Sequence, residues 1–122
     1  MYKILIADDH DLFLRGLELI LSDAFPEAEL VKAKDYDEIF SIIKKEKDFN
    51  LVLTDLAMPG AYWLEAIKEI NDKLPETPII ILSAVFDREI VQKTIDIGAA
   101  GYISKTSSNA VILSAVNLVL SG

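Results

Sequence analysis

Residues 50–55 read Asn-Leu-Val-Leu-Thr-Asp, a short apolar run that stops on a carboxylate. A run of this length, bounded by turn formers, is the pattern of a strand covered on both faces. Met58-Pro59-Gly60 supplies the turn that follows. A strand buried on both faces needs helices above and below its sheet, which points to an α/β layer architecture.

The same alternation recurs outward in both directions. Tyr2–Ala7 reads as a buried strand, and Asp11–Ala24 follows with Leu14, Leu17, Leu21 and Phe25 at helical spacing. Glu29–Ala33 carries polar interruptions, as an edge strand does. Asp35–Lys47 is predicted helical, with Ile39, Ile42 and Ile43 inward and lysines outward. Past Gly60, a helix carrying Leu64, Ile67 and Ile70 runs to about Asp72. Pro75 and Pro78 bracket the turn into Ile79-Ile80-Ile81-Leu82, another buried strand. Asp87–Ile97 is predicted helical, with Gly98 placed to end it. Gly101–Ser104 makes a short strand and Ser108–Leu120 a last helix. Five strands alternating with five helices give a doubly wound parallel sheet with right-handed crossovers. The order 2-1-3-4-5 places strands 1, 3 and 4 centrally, which matches their nearly unbroken apolar character.

The totals agree with one domain. A chain of 122 residues with 52% hydrophobic and 26% charged residues can bury a core and keep a wet surface. No apolar stretch reaches bilayer length, and Met1-Tyr2-Lys3-Ile4 lacks a signal-peptide layout, so no membrane partner is expected. The lack of cysteine excludes disulfides and thiolate chemistry and leans towards the cytoplasm. Twelve Lys+Arg against twenty Asp+Glu, a formal charge of −8, argue against nucleic-acid binding through this domain. The acidity serves either solubility or a cluster of carboxylates that holds a cation.

Ligands of open α/β sheets bind beyond the carboxyl ends of the strands. Those ends are polar here: Asp8-Asp9-His10 after the first strand, Asp55 after the third, Ser83-Ala84 after the fourth, and Lys105-Thr106 after the fifth. Two unit charges ~4 Å apart repel by roughly 4 kcal/mol at an effective dielectric of ~20. Converging carboxylates must therefore take up a proton, a lysine or a divalent cation, and an oxygen-only set with room for water suits Mg²⁺.

With Asp8-Asp9, Asp55, Met58-Pro59, Ser83-Ala84, Tyr102 and Lys105 each at its strand end, the chain resembles the receiver domain of bacterial two-component response regulators. The stretches D-D-H-D-L-F-L-R-G-L and G-A-A-G-Y-I-S-K are similar to the NarL/LuxR-type subfamily. The resemblance covers essentially residues 1–122 and implies a flavodoxin-like receiver fold that takes a phosphoryl group from a sensor histidine kinase. It implies that Asp55 is the nucleophile and becomes an acyl phosphate. It implies Mg²⁺ held by Asp9, by Asp55, by the backbone carbonyl of Ala57 and, through water, by Asp8. Lys105 would pair with phosphoryl oxygens, Ser83 would bond to one of them, and Tyr102 would swing inward behind it. Regulators of this type continue into a helix-turn-helix domain, so DNA binding is expected of a part outside this chain. Acting on itself alone, such a domain is a switch and not a turnover enzyme.

Single residues admit plainer readings. Asp8 or Asp9 could cap the first helix, Asp55 could be a turn residue before Pro59, Lys105 a solvated lysine and Ser83 an incidental strand end. His10, the only histidine, is read as a loop residue near the site and not as a metal ligand. Three departures stand out from the family pattern. Tyr62 and Trp63 replace a frequent acidic residue and a usual glycine, which implies packing on a neighbouring surface, a partner or homodimer contact, or altered access to Asp55. Asp11 replaces a frequent proline. Thr106 follows Lys105 where many receivers have a proline with a cis bond, leaving the isomer open. The rival function is a constitutive interaction module with a vestigial site, motivated by Trp63. A phosphohydrolase would need a second aspartate where Ala57 stands, and a flavin site would need a Ser/Thr/Gly-rich loop after strand 1.

Overall fold

The computed structural model describes residues 1–122 throughout. Its elements alternate as β1 (Lys3–Ala7), α1 (Asp11–Ala24), β2 (Glu29–Ala33), α2 (Tyr36–Lys45), β3 (Leu51–Thr54), α3 (Trp63–Lys73), β4 (Ile79–Ser83), α4 (Arg88–Asp96), β5 (Gly101–Ser104) and α5 (Asn109–Leu120). The strands form one parallel sheet in the order β2-β1-β3-β4-β5, as the strand pattern predicts.

Successive residues of each central strand feed opposite cores, as the two-residue period of a strand requires. Leu5, Val52, Ile79 and Ile81 join Tyr36, Ile39, Ile43, Ile67 and Ile70 in a core beneath α2 and α3. Ile4, Ile6, Leu51, Leu53, Ile80 and Leu82 meet Leu14, Leu17 and Leu21 of α1 and Ile112 and Val116 of α5 on the other face. Each such side chain, fully buried, contributes about 1.5–3 kcal/mol. The unbroken apolar runs are thus two interleaved sets, one for each face.

Helix starts follow local chemistry. The Asp35 carboxylate accepts from Glu38 N–H at 2.7 Å, while Glu38 Oε1 accepts from Lys34 N–H at 2.7 Å, a reciprocal arrangement close to a capping box. Asp87 and Ser108 cap α4 and α5 from one side only, accepting from Ile90 and Val111 N–H. His10 occupies the N-cap of α1 without a side-chain cap, so neither Asp8 nor Asp9 serves as the capping residue. α2 ends at Lys45, two residues before the predicted Lys47. There the chain extends, so that Glu46 and Asp48 reach Lys3 Nζ at 2.6 and 3.0 Å, and Asn50 Oδ1 accepts from Lys3 N–H at 2.8 Å. No peptide bond is cis, so the Lys105–Thr106 bond is trans.

Gly98 ends α4 with φ +107°, and a Cβ there would lie 2.9 Å from Asn71 Nδ2. That amide donates to the Ile97 carbonyl at 3.1 Å and ties α3 to the end of α4. Gly98→Ala is expected to cost about 1–3 kcal/mol through backbone strain and displacement of Asn71. The shift in urea midpoint at unchanged slope measures it.

Candidate functional site

Parallel pairing runs one residue beyond the strands and positions the polar groups. Asp8 N–H donates to Ala33 O at 3.1 Å, Asp55 N–H to Ala7 O at 3.0 Å, and Lys105 N–H to Ser83 O at 3.0 Å. Three side chains leave the sheet's carboxyl edge almost without water: Asp8 is 1%, Asp55 3% and Ser83 1% exposed. This edge lies where β1 turns to β2 on one side and β3 on the other, the switch point of the sheet.

Lys105 reaches into the cluster from the β5 side. Its Nζ lies 2.6 Å from Asp8 Oδ2 and 3.0 Å from Asp55 Oδ2, and 4.7 Å from the centre of the Phe13 ring. Burial alone would pull the lysine pKa down, but its contacts with Asp8 and Asp55 outweigh it and hold the ammonium above its ordinary value. The other oxygen of Asp55 accepts from Leu56 N–H at 2.7 Å, which orients the carboxylate. Asp9 stands at the rim, with about a third of its side chain exposed.

His10 is closer to the centre than its sequence position implies. Its main-chain N–H donates to Asp8 Oδ1 at 2.8 Å, and the turn folds the ring back onto the carboxylates. Its Nδ1 is then 2.8 Å from Asp8 Oδ1, 3.3 Å from Asp9 Oδ1 and 3.2 Å from Lys105 Nζ. The signal was present: an Asp two residues before a polar residue favours this local turn.

A cation fits the cluster. Ligand atoms of Asp8, Asp9, His10 and Asp55 all lie within 4.8 Å of one another. Asp8 Oδ2 is buried with no aligned hydrogen-bond donor, its ammonium neighbour lying off the bonding angle. The oxygens outnumber the one nitrogen, the donor chemistry of a hard divalent ion.

At the end of β4, next to β3, Ser83 Oγ accepts from Val85 N–H at 3.1 Å. Tyr102 is half-buried, its hydroxyl donates to the Val85 carbonyl, and its ring meets Phe86 edge-on at 5.6 Å. Tyr102 therefore lies along the loop after β4 and not inside the acidic cluster, linked to Ser83 through Val85. Trp63 is half-buried against the core beneath α2 and α3, and Tyr62 beside it is 56% exposed. Trp63 thus packs on the core, while Tyr62 stays open to solvent. A groove of about 650 Å³ opens from His10 and Lys105 between α1 and α5, floored by Phe13, Leu17, Ile20 and Ile112.

Residues 4–117 match the family described as the response regulator receiver domain. The glycerol metabolism activator of Pseudomonas putida is 37% identical over 122 residues, covering all of this chain and 55% of that protein. The oxygen regulatory protein NreC of Staphylococcus haemolyticus is 34% identical over 121 residues, 98% of this chain and 55% of that protein. The chain thus spans about half the length of these relatives. A two-component response regulator of the LuxR family from Aurantimonas sp. SI85-9A1 superposes with a TM-score of 0.86 at 26% identity, covering 98% of this chain and 85% of that one. A CheY-like response regulator receiver domain protein from Methanospirillum hungatei JF-1 gives 0.90 at 26% identity, covering 99% and 94%.

Lys105→Met would leave Asp8 and Asp55 buried without their lysine. Without divalent cations this is expected to cost about 3–5 kcal/mol. Saturating Mg²⁺ should restore part of the loss, about 2.7 kcal/mol at a hundred times the dissociation constant. Because the folded-state lysine pKa is raised, its contribution is complete below its ordinary 10.5 and is lost as pH rises through the folded value. Urea titrations of wild type and variant, with chelator and with MgCl₂, check the magnitude and sign.

Proposed function

The chain belongs to the response regulator receiver domain family, and on that premise we propose that Asp55 accepts a phosphoryl group from the histidine of a sensor kinase. Phosphorelay signalling is the function of the family. The observation that carries the residue assignment is the junction of Asp55 with Lys105 and Asp8 at the carboxyl edge of the central strand.

In the proposed step, the Asp55 oxygen now 3.0 Å from Lys105 Nζ attacks phosphorus. The new O–P bond forms as the N–P bond to the donor histidine breaks, and the bonding electron pair returns to the imidazole nitrogen. Leu56 N–H holds the other Asp55 oxygen and so aims the attacking one. Lys105 and the Ser83 hydroxyl, from the ends of β5 and β4, would receive phosphoryl oxygens, the positioning that phosphoryl transfer relies on. Mg²⁺ would be held by Asp9, Asp55 and the Ala57 carbonyl, with Asp8 through water, and would supply charge neutralisation on those oxygens. The apolar groove beside Lys105 and His10 suits an amphipathic kinase helix presenting its phosphohistidine to Asp55.

The switch proposal follows from the link between Ser83 and Tyr102. A phosphoryl group that draws the Ser83 hydroxyl loosens its bond to Val85, and Tyr102 is held at that same residue. The new acceptor oxygens thereby bias the β4–α4 loop between two packings. The family, and relatives about twice as long, support a receiver acting within a longer transcription regulator. DNA binding would belong to a helix-turn-helix domain outside residues 1–122.

Incubation with MgCl₂ and a small acyl phosphate is expected to place one phosphoryl group on Asp55, mapped by mass spectrometry after reductive trapping. Asp55→Asn and added chelator should each abolish it. Labelling elsewhere, or none under conditions that label another receiver, refutes the assignment.

A further inference from the structure

We infer that Tyr36 is a positioning residue for the phospho-acceptor loop: its hydroxyl and main-chain N–H hold residues 56–59 in the shape that aims the Ala57 carbonyl at the cation. This rests on the proposed role of Asp55 and extends it to a residue of another helix.

Tyr36 is the first residue of α2 and is completely buried. Its hydroxyl donates to the Leu56 carbonyl at 2.6 Å, and its main-chain N–H donates to the Pro59 carbonyl at 3.0 Å. One residue therefore grips the loop after Asp55 at two carbonyls three residues apart. The Leu56 carbonyl also accepts from Met58 N–H at 3.0 Å, and no non-glycine residue has positive φ. Together these describe an inverse γ-turn centred on Ala57, among the tightest turns available. Leu56 is then held at both polar atoms, its N–H by Asp55 Oδ1 and its carbonyl by Tyr36 and Met58.

The loop is also seated against the start of α2. Gly60 has φ +107°, and a Cβ there would come within 3.1 Å of the Asp37 N atom. The close approach brings the Pro59 carbonyl onto Tyr36.

Shape alone does not explain the hydroxyl. A phenylalanine would fill the same space in the core, and a buried hydroxyl is unfavourable unless it is bonded. Here its partner is the turn that follows the acceptor. Burial, reinforced by the charge of Asp55, pushes the phenol pKa up and keeps the group a donor.

Tyr36→Phe removes the hydroxyl and keeps the ring. Thr77→Val is the matched control, since Thr77 Oγ1 donates to the Phe49 carbonyl at 3.0 Å at the opposite end of the sheet. Both should lower the unfolding midpoint. Mg²⁺ affinity by calorimetric titration with MgCl₂ is expected to fall about fivefold or more in Tyr36→Phe and to stay within about twofold of wild type in Thr77→Val. The rate of Asp55 labelling by a small acyl phosphate should divide the variants in the same way. Equal Mg²⁺ affinity in the two variants, or no measurable Mg²⁺ binding by wild type, overturns the inference. Failure of wild type to be labelled at Asp55 would sink the acceptor role alone, and Mg²⁺ affinity would still decide Tyr36.

Discussion

Two carboxylates removed from water, Asp8 and Asp55, face one ammonium, and the rest of the site is arranged around that imbalance. A buried charge is tolerated only when paired and bonded, and breaking such a pair is far costlier than forming it is favourable. Lys105 must therefore be delivered to the same edge as β1 and β3, which is what the position of β5 two strands away from β3 accomplishes. With Asp9 at the rim, the local charge remains negative, and the cluster keeps an appetite for a further cation. On the proposed reading, phosphorylation enlarges this imbalance by about one or more negative charges. The response must come from groups that can move: the lysine, the serine hydroxyl and the loop joined to it.

Much of this was legible in the chain order. The five apolar runs and their turns determine which strands are central, because only residues covered on both faces can be apolar without interruption. Asp8, Asp55, Ser83 and Lys105 were legible as neighbours at one edge because each stands at or just past the end of a strand and parallel strands end at the same edge. What was not legible has a common cause. Tyr36 acts on a main-chain carbonyl, and a carbonyl leaves no trace in side-chain spelling. Tyr102 bonds a main-chain carbonyl too, which is why its position along the β4–α4 loop emerged only with the fold. His10 is the loop residue near the site that its position predicts, and its contact with Asp8 follows from a local turn that its own spelling does not show. Packing was one of the readings open for Trp63, and its half-buried ring does lie against apolar neighbours of the core beneath α2 and α3.

The two cores also divide the labour of the helices. α2 and α3 share one core with the loop that follows Asp55, since Leu56 and Met58 are members of it. α1 and α5 share the other, and the groove between them reaches Lys105 and His10. The loop after Asp55 is thus packed on one face of the sheet, while the groove that reaches Lys105 and His10 opens on the other.

The pairing of β1 with both β2 and β3 has a consequence for how the chain is made. β1 is synthesised before the strand that completes its pairing, and Leu51–Thr54 follow Ile4–Ala7 by some forty-seven positions in the register. At roughly 5–20 residues per second, Ile4, Leu5 and Ile6 wait about 2–10 s for that partner during translation. A completely buried strand is for that interval an unpaired apolar edge, and β2, which arrives sooner, can shield only one side of it. The topology that gathers the acidic residues at one rim thus makes the nascent first strand the segment most exposed to mispairing on the ribosome.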